Sequence, residues 1–293
     1  MTTEPSFSPL ALLGAGYIGG SVALAARRAG LAARVVGYDQ DPAAVAVARE
    51  RGIVDDVAAS PEAAVAGAGL VVLAAPVGSL GALARRIAPV VPAHALVIDV
   101  GSVKGAVVAA VEAAMPSGQF VGCHPIAGNE RSGPAAADGG LFRDRVCFVC
   151  PGGRAAPAAV ARATAFWQAL GARVLTVAPE PHDAAMAAVS HLPHVAAFAL
   201  AASLADRLPQ LQQGGPAAAT TTSLRDTTRI AASSPAVWRD IFLENRAHLL
   251  PLVRALEGQV AALGSAIERG DAGALEALLA TGRATREALT RGS

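Results

Sequence analysis

Short, nearly unbroken apolar runs alternate with longer alanine-rich amphipathic stretches up to about residue 178, and beyond that point the short runs cease. The runs begin at Leu10 and recur at Arg34–Tyr38, Leu70–Ala74, Leu96–Val100, Phe120–Cys123, Val146–Cys150 and Arg173–Val177. Strands buried on both faces need such continuous apolar runs, and the stretches between them have helical period. The pattern therefore predicts an α/β fold built on a doubly wound, Rossmann-type sheet. Pro179-Glu180-Pro181 marks a change, and the chain from there on is alanine- and leucine-rich and helical. Helices are expected over Met186–Leu208 and Val237–Leu263, with breaks at Gln213-Gly-Gly-Pro216 and Ser233-Ser-Pro235. They are too apolar to stand alone in water and should bury faces against one another and against a second subunit. The expected organisation is a sheet domain over residues 1–178 followed by an all-α C-terminal domain over residues 179–293.

The first run passes directly into Gly14-Ala-Gly16-Tyr17-Ile18-Gly19-Gly20-Ser21 and then into a helical pattern. Strand, glycine turn and helix in that order form a dinucleotide fingerprint. Gly14 permits the tight turn, Gly16 lets a pyrophosphate approach the backbone, Gly19 allows close helix–strand packing, and Tyr17 and Ile18 open the helix under the phosphates. The second strand ends in Asp39, about two dozen residues after Gly14, where a carboxylate binds both ribose hydroxyls of NAD and repels the 2′-phosphate of NADP. NAD is the expected cofactor. A glycine turn that binds nothing is the alternative, and the ordered strand–turn–helix–strand–acid series argues against it.

The run Phe120–Cys123 ends in His124-Pro125, and glycines follow at 128 and 133. Proline is expected to end pairing there and leave His124 at the carboxyl edge of the sheet, where the crevice of open α/β folds lies. Asp99-Val-Gly101-Ser102-Val-Lys104 lies at the same edge, with Ser102 placed to hydrogen-bond a substrate hydroxyl. In Ser190-His191-Leu-Pro193-His194, Pro193 interrupts the turn and no nearby cysteine or carboxylate completes a ligand set, so no metal is expected. In Arg225-Asp226-Thr-Thr-Arg229-Ile230, Arg229 stands between threonines and an apolar run, which predicts a partly desolvated guanidinium that needs an anion. Arg239 and Arg246 read as parts of solvated faces.

Composition narrows the classes. A formal net charge of +1 offers no basic field for nucleic acid or an anionic membrane. No apolar run is read as long enough to span a bilayer, and Met-Thr-Thr-Glu-Pro lacks the pattern of a signal peptide, which points to the cytoplasm. Cys147-Phe-Val-Cys150 mimics a metal or redox spacing, but its two thiols sit three apart in a strand and face opposite ways. Buried reduced cysteines are the expectation.

Five segments together carry a family resemblance: Gly14-Ala-Gly16-Tyr-Ile-Gly19-Gly20-Ser21, Asp99-Val-Gly-Ser102-Val-Lys104, His124-Pro-Ile-Ala-Gly128, Ser190-His191-Leu-Pro-His194 and Arg225-Asp-Thr-Thr-Arg229-Ile-Ala. In this order and spacing, from about Leu10 to Leu250, the chain resembles the prephenate/arogenate (cyclohexadienyl) dehydrogenases of tyrosine biosynthesis. The resemblance implies that His124 accepts the proton of the substrate's ring hydroxyl and that Ser102 helps position that hydroxyl. It further implies that His194 and Arg229 bind substrate, Arg229 through a carboxylate, with Ser190, Arg225 and Glu130 lining the pocket. Asn129 and Arg225 stand where the family commonly has Thr and Lys. It also implies a homodimer, and 293 residues leave no room for the regulatory domain that some relatives append.

The implied reaction passes hydride from the carbon bearing the ring hydroxyl to the nicotinamide. His124 takes the hydroxyl proton, and the ring carboxylate leaves as carbon dioxide to give an aromatic phenol. An imidazole with an ordinary pKa of about 6.5 suits that work at neutral pH, and no metal is required. A β-hydroxyacid dehydrogenase, which typically relies on a lysine in its helical domain, is the nearest alternative, yet residues 179–293 contain no lysine. A non-enzymatic NAD-binding module would have no use for His124, Ser102 and Arg229.

Overall fold

A computed structural model describes residues 7–115, 117–128, 131–207, 209 and 222–291. Eight strands form one sheet: β1 (Leu10–Leu13), β2 (Val35–Tyr38), β3 (Asp56–Val57), β4 (Leu70–Leu73), β5 (Leu96–Asp99), β6 (Phe120–Pro125), β7 (Val146–Cys150) and β8 (Arg173–Thr176). Their order is β3-β2-β1-β4-β5-β6-β7-β8, and only the β6–β7 pairing is antiparallel. The chain starts in the middle, runs outward through β2 and β3, then returns to β4 on the other side of β1. That reversal between β1 and β4 is the topological switch point, where such sheets bind ligands beyond their carboxyl ends.

The apolar runs became strands because both faces of the sheet are covered. Helices α1 (Tyr17–Arg28), α2 (Pro42–Glu50), α3 (Pro61–Val65), α4 (Leu80–Ile87), α5 (Gly105–Ala114) and α6 (Pro157–Ala169) divide between them. Val22, Ala23 and Ala26 of α1 join Phe166 and Trp167 of α6 on one face. Val65, Leu80, Ile87 and Val111 close the other. The two-residue β3 escapes sequence reading because its exposed Asp56-Val57 pair carries no alternation.

The strand bearing His124 is longer than expected. Pairing continues through His124↔Phe148 and Pro125↔Cys147, and the Ile126 amide still donates to the Val146 carbonyl at 2.8 Å. Alternate amides of a strand point away from a given neighbour, so the nitrogen that proline cannot protonate lies on the side where β7 asks for nothing.

After the sheet come α7 (Pro179–Met186), a π-helical turn over Ala187–His191, and α8 (Leu192–Ser203). They are followed by α9 (Thr222–Thr228), a 3₁₀ turn over Arg229–Ala232, α10 (Pro235–Glu244), α11 (Arg246–Arg269) and α12 (Ala272–Thr290). The helix expected from Met186 starts at Pro179 instead, since prolines are tolerated in a first turn. The one expected over Val237–Leu263 is broken at Asn245. The continuous stretch Pro179–Ser203 is also, by length and composition, long and apolar enough to cross a membrane, contrary to expectation. Its His182 and Asp183 are nevertheless buried and bonded to the sheet side of the protein, as a core helix requires. The chain divides into two compact units, Met1–Arg246 and Ala247–Ser293.

Candidate active site

At the carboxyl end of β1 the three fingerprint glycines answer to three separate constraints. Gly14 has φ +108°, and a Cβ there would lie 2.5 Å from the Ala74 backbone. A Cβ on Gly19 would lie 2.3 Å from the Gly14 carbonyl oxygen. Gly16 differs: nothing lies within 4 Å of its would-be Cβ, so the space beside it is open. Helix α1 begins there with no capping side chain and no acid in its first turn, leaving its amides to an anion. Tyr17 is buried at the helix start, with Ile18 beside it. Asp39 accepts the Ala15 amide at 2.7 Å and the Asp41 amide at 2.9 Å, so its carboxylate is held against the glycine turn. These residues fit a dinucleotide.

Farther along the same edge a side-chain network is assembled from distant segments. Lys104, the chain's only lysine, is fully buried and ion-paired with Asp99. Asp99 also accepts the Cys123 amide at 2.9 Å and the Gly101 amide at 2.8 Å, while Lys104 Nζ donates to the Cys123 carbonyl at 2.8 Å. Both peptide groups flanking Cys123 are thereby fixed, and with them the start of His124.

His124 Nδ1 lies 2.9 Å from His182 Nε2, and His182 Nδ1 lies 2.8 Å from Asp183 Oδ1. Asp183 also accepts the Lys104 and Gly105 amides, each at 2.7 Å, at the start of α5. These three donors hold its carboxyl below the usual carboxylate range although burial works the other way. An ionised Asp183 can only accept, so His182 carries its proton on Nδ1 and offers a lone pair at Nε2. His124 must then donate from Nδ1, which leaves the lone pair of His124 Nε2 for a reacting proton. Burial pushes the His124 pKa well below its ordinary value, and the neighbouring His182, Lys104 and His191 push the same way, so the ring stays neutral.

A second pair of rings lies next to these. His191 and Asn245 are each 1% exposed, and Asn245 Nδ2 lies 2.9 Å from the Asp183 carbonyl and 3.0 Å from His191 Nδ1. Burial lowers the His191 pKa to about 4. His194 donates from Nδ1 to the Ser190 carbonyl at 2.9 Å and stacks on Trp238 with ring centroids 3.4 Å apart. The π-helical turn widens the helix at Ser190-His191, just ahead of Pro193. Such turns recur at functional sites because they re-aim side chains.

The structure thus brings His124, His191 and His194 into one neighbourhood. Ser102 is partly exposed on the turn after β5, and Ser190 is partly exposed in the π-helical turn. Arg229 is exposed rather than partly desolvated as expected, because the 3₁₀ turn that carries it presents it to solvent. Its charge still reaches His194, whose pKa it helps lower after burial. Arg225 is exposed on α9, and Glu130 lies outside the described residues. Arg239 and Arg246 are exposed, Arg239 paired with Asp240 at 2.7 Å. The three cysteines are free and buried, and burial raises each thiol pKa. Sequence reasoning missed His182, Asp183 and Asn245. An adjacent His-Asp pair straight after Pro179-Glu-Pro181 was the available signal, but that segment reads as a boundary.

A glycine turn open to a pyrophosphate and a neutral histidine backed by a His-Asp pair define a nucleotide-dependent oxidoreductase. The nucleotide-binding domain of prephenate dehydrogenase matches residues 22–176, and the dimerization domain of prephenate dehydrogenase matches residues 178–281. The chain belongs to the prephenate dehydrogenase family and is an enzyme. It is 33% identical over 270 residues to the cyclohexadienyl dehydrogenase of Zymomonas mobilis, covering 90% of each chain. It is similar in structure to prephenate dehydrogenase from Aquifex aeolicus in complex with hydroxyphenyl propionate and NAD+, with a TM-score of 0.82, 31% identity, and coverage of 96% of this chain and 97% of that one. Synechocystis arogenate dehydrogenase aligns with a TM-score of 0.74 at 25% identity, over 96% of this chain and 99% of that one.

Proposed function

We propose that this protein oxidatively decarboxylates prephenate, arogenate or both, giving 4-hydroxyphenylpyruvate or tyrosine with release of carbon dioxide in the cytoplasm. NAD is the cofactor, held by Gly14, Gly16, Tyr17, Ile18, Gly19 and Asp39, and it supplies the hydride acceptor. The observation that carries the reading is the His124–His182–Asp183 series, which ends in a free lone pair on His124 Nε2 at the carboxyl edge of the sheet.

His124 Nε2 takes the proton of the substrate's ring hydroxyl. The positive charge that develops on its ring meets the lone pair of His182, whose far N–H is already committed to Asp183, so the charge forms beside a dipole pointed to receive it. Keeping the ring neutral beforehand keeps that lone pair available. Ser102 orients the hydroxyl. Ser190, His194, Arg225, Arg229 and Glu130 hold the rest of the substrate, Arg229 through a carboxylate.

The functional division lies at residue 178: residues 1–178 bind the cofactor, and residues 179–293 supply substrate contacts and the dimer interface. Exposed apolar side chains such as Val260, Ile267 and Leu279 support a homodimer. The test is turnover of prephenate and of arogenate with NAD, followed by NADH absorbance and product identity. Lack of NADH formation with both substrates overturns the proposal.

A further inference from the structure

His191 and Asn245 have no part in the chemistry above, yet both are almost completely buried beside it. Asn245 sits at the break between α10 and α11. One end of its amide faces the Asp183 carbonyl at 2.9 Å and His191 Nδ1 at 3.0 Å. A carbonyl oxygen can only accept, so that end is the NH₂ group, and turning the amide over would set oxygen against oxygen. An amide nitrogen has two hydrogens and no lone pair to offer. His191 Nδ1 must therefore accept, and the His191 proton sits on Nε2.

That Nε2–H is the imidazole's other polar atom. It makes no hydrogen bond among the described residues, and it is not one of the wholly sealed unpaired side-chain nitrogens there, which are Arg27 Nε and Trp167 Nε1. A ring that is 1% exposed thus keeps one donor without a partner among the described residues. The ring lies close enough to His124 to influence its charge state, and beside the His194–Trp238 stack, with the His191 and Trp238 ring centroids 6.0 Å apart.

We propose that Asn245 locks His191 in the Nε2–H tautomer, so that His191 donates to a carboxylate oxygen of the substrate while His124 remains the site's proton acceptor. Two unconstrained imidazoles side by side would compete for the hydroxyl proton. An amide that can only donate removes the competition by occupying the lone pair of one ring. It also supplies the substrate anion with a neutral donor, which adds no positive charge next to His124. His191 is then a substrate contact and Asn245 its positioning residue. The inference rests on the proposed substrate class.

Two measurements test it separately. Long-range ¹H–¹⁵N NMR of histidine-labelled protein reads the tautomer without any substrate. We expect a non-protonated Nδ1 at His191 in the wild type and a mixture of tautomers in Asn245→Leu. A protonated Nδ1 in the wild type overturns the lock, whatever the enzyme acts on. Kinetics with NAD and whichever of prephenate or arogenate the wild type turns over reads the contact. His191→Leu should lower kcat/KM by ~10- to 100-fold, the usual cost of a lost hydrogen bond to a charged group, with NAD affinity unchanged. His191→Gln, whose Nε2 hydrogens can take the same place, should recover most of the loss. Wild-type kcat/KM in His191→Leu, or no recovery in a folded His191→Gln with unaltered melting temperature, overturns the contact. Failure of the wild type on both substrates overturns the functional reading, and the contact with it, but leaves the tautomer result standing.

Discussion

The glycine turn and the histidine network lie on the same edge of one sheet but are made in opposite ways. The turn is backbone geometry: Gly14, Gly16 and Gly19 contribute by having no side chain, and one β-α-β segment ending at Asp39 contains everything it needs. The network is all side chain, and it joins Asp99, Lys104, His124, His182, Asp183, His191 and Asn245 from five stretches of sequence. A backbone site tolerates neighbouring substitutions but no added Cβ. A buried polar network has each member depending on its neighbours for proton placement, so single replacements should disable chemistry while leaving the turn able to bind.

The largest test of that contrast is His124→Asn. We expect kcat to fall by ~10²–10⁴-fold while NAD affinity, measured by fluorescence titration, stays nearly unchanged. Parallel losses of turnover and NAD binding would mean the two regions are one unit. Asp183→Asn comes next, with an expected fall of ~10²–10³-fold in kcat, because an amide in place of the carboxylate no longer commits His182 to the tautomer that leaves His124 Nε2 free. Near-normal kcat would remove the relay from the mechanism. Arg229→Ala should lower kcat/KM by ~30- to 1000-fold, mostly through KM, with Arg229→Lys recovering only part. A normal KM would move the anion contact elsewhere.

The same contrast explains what the sequence made legible. The sheet and the cofactor turn are local: a strand buried on two faces must be a continuous apolar run, and a pyrophosphate needs glycines at fixed offsets, so Leu10–Asp39 could be read without knowing the rest of the fold. His124 was readable because it closes such a run. His182 and Asp183 were not, because their meaning depends on which strand end α7 lands beside, and nothing in Pro179-Glu-Pro181-His182-Asp183 says that Asp183 will cap α5, 79 residues earlier in sequence at Lys104. Arg229 shows the reverse error: an apolar local sequence suggested desolvation, but the tertiary position of the turn left it exposed.

On the backbone side the expected effects are smaller and separate folding from binding. Gly14→Ala should destabilise the fold by ~1–3 kcal/mol, since its positive φ and the Ala74 backbone leave no place for a methyl group. Gly16→Ala meets nothing in the protein, so its melting temperature should stay at the wild-type value while KM for NAD rises. A lower melting temperature for Gly16→Ala would mean that Gly16 serves the fold rather than a ligand. Asp39→Ser should narrow the preference for NAD over NADP by ~10-fold, by removing a carboxylate that repels the 2′-phosphate. Wild-type enzyme that uses NADP as well as NAD would take Asp39 off the ribose.

The effects of pH arise only in the side-chain region. As the proposed proton acceptor His124 must be neutral, and burial with its histidine and cationic neighbours holds its folded pKa well below 6.5. The kcat/KM profile should therefore stay flat as pH falls through 6.5 and decline only at lower pH. A decline centred at or above 6.5 would contradict the buried relay. Stability follows the same sign. The unfolded chain binds protons on His124 and His191 near pH 6.5, whereas the folded chain resists, His191 until about pH 4. The unfolded state thus holds more protons across that window. Stability should be at its plateau above pH 6.5 and fall as pH drops toward 4, with His191 accounting for up to ~3 kcal/mol. Urea midpoints at neutral pH and at about pH 5, compared between wild type and His191→Gln, read this directly: the wild type should lose more stability than the variant on acidification. Equal losses would mean that His191 is not protonated more readily in the unfolded chain, and that its burial next to Asn245 costs nothing on acidification.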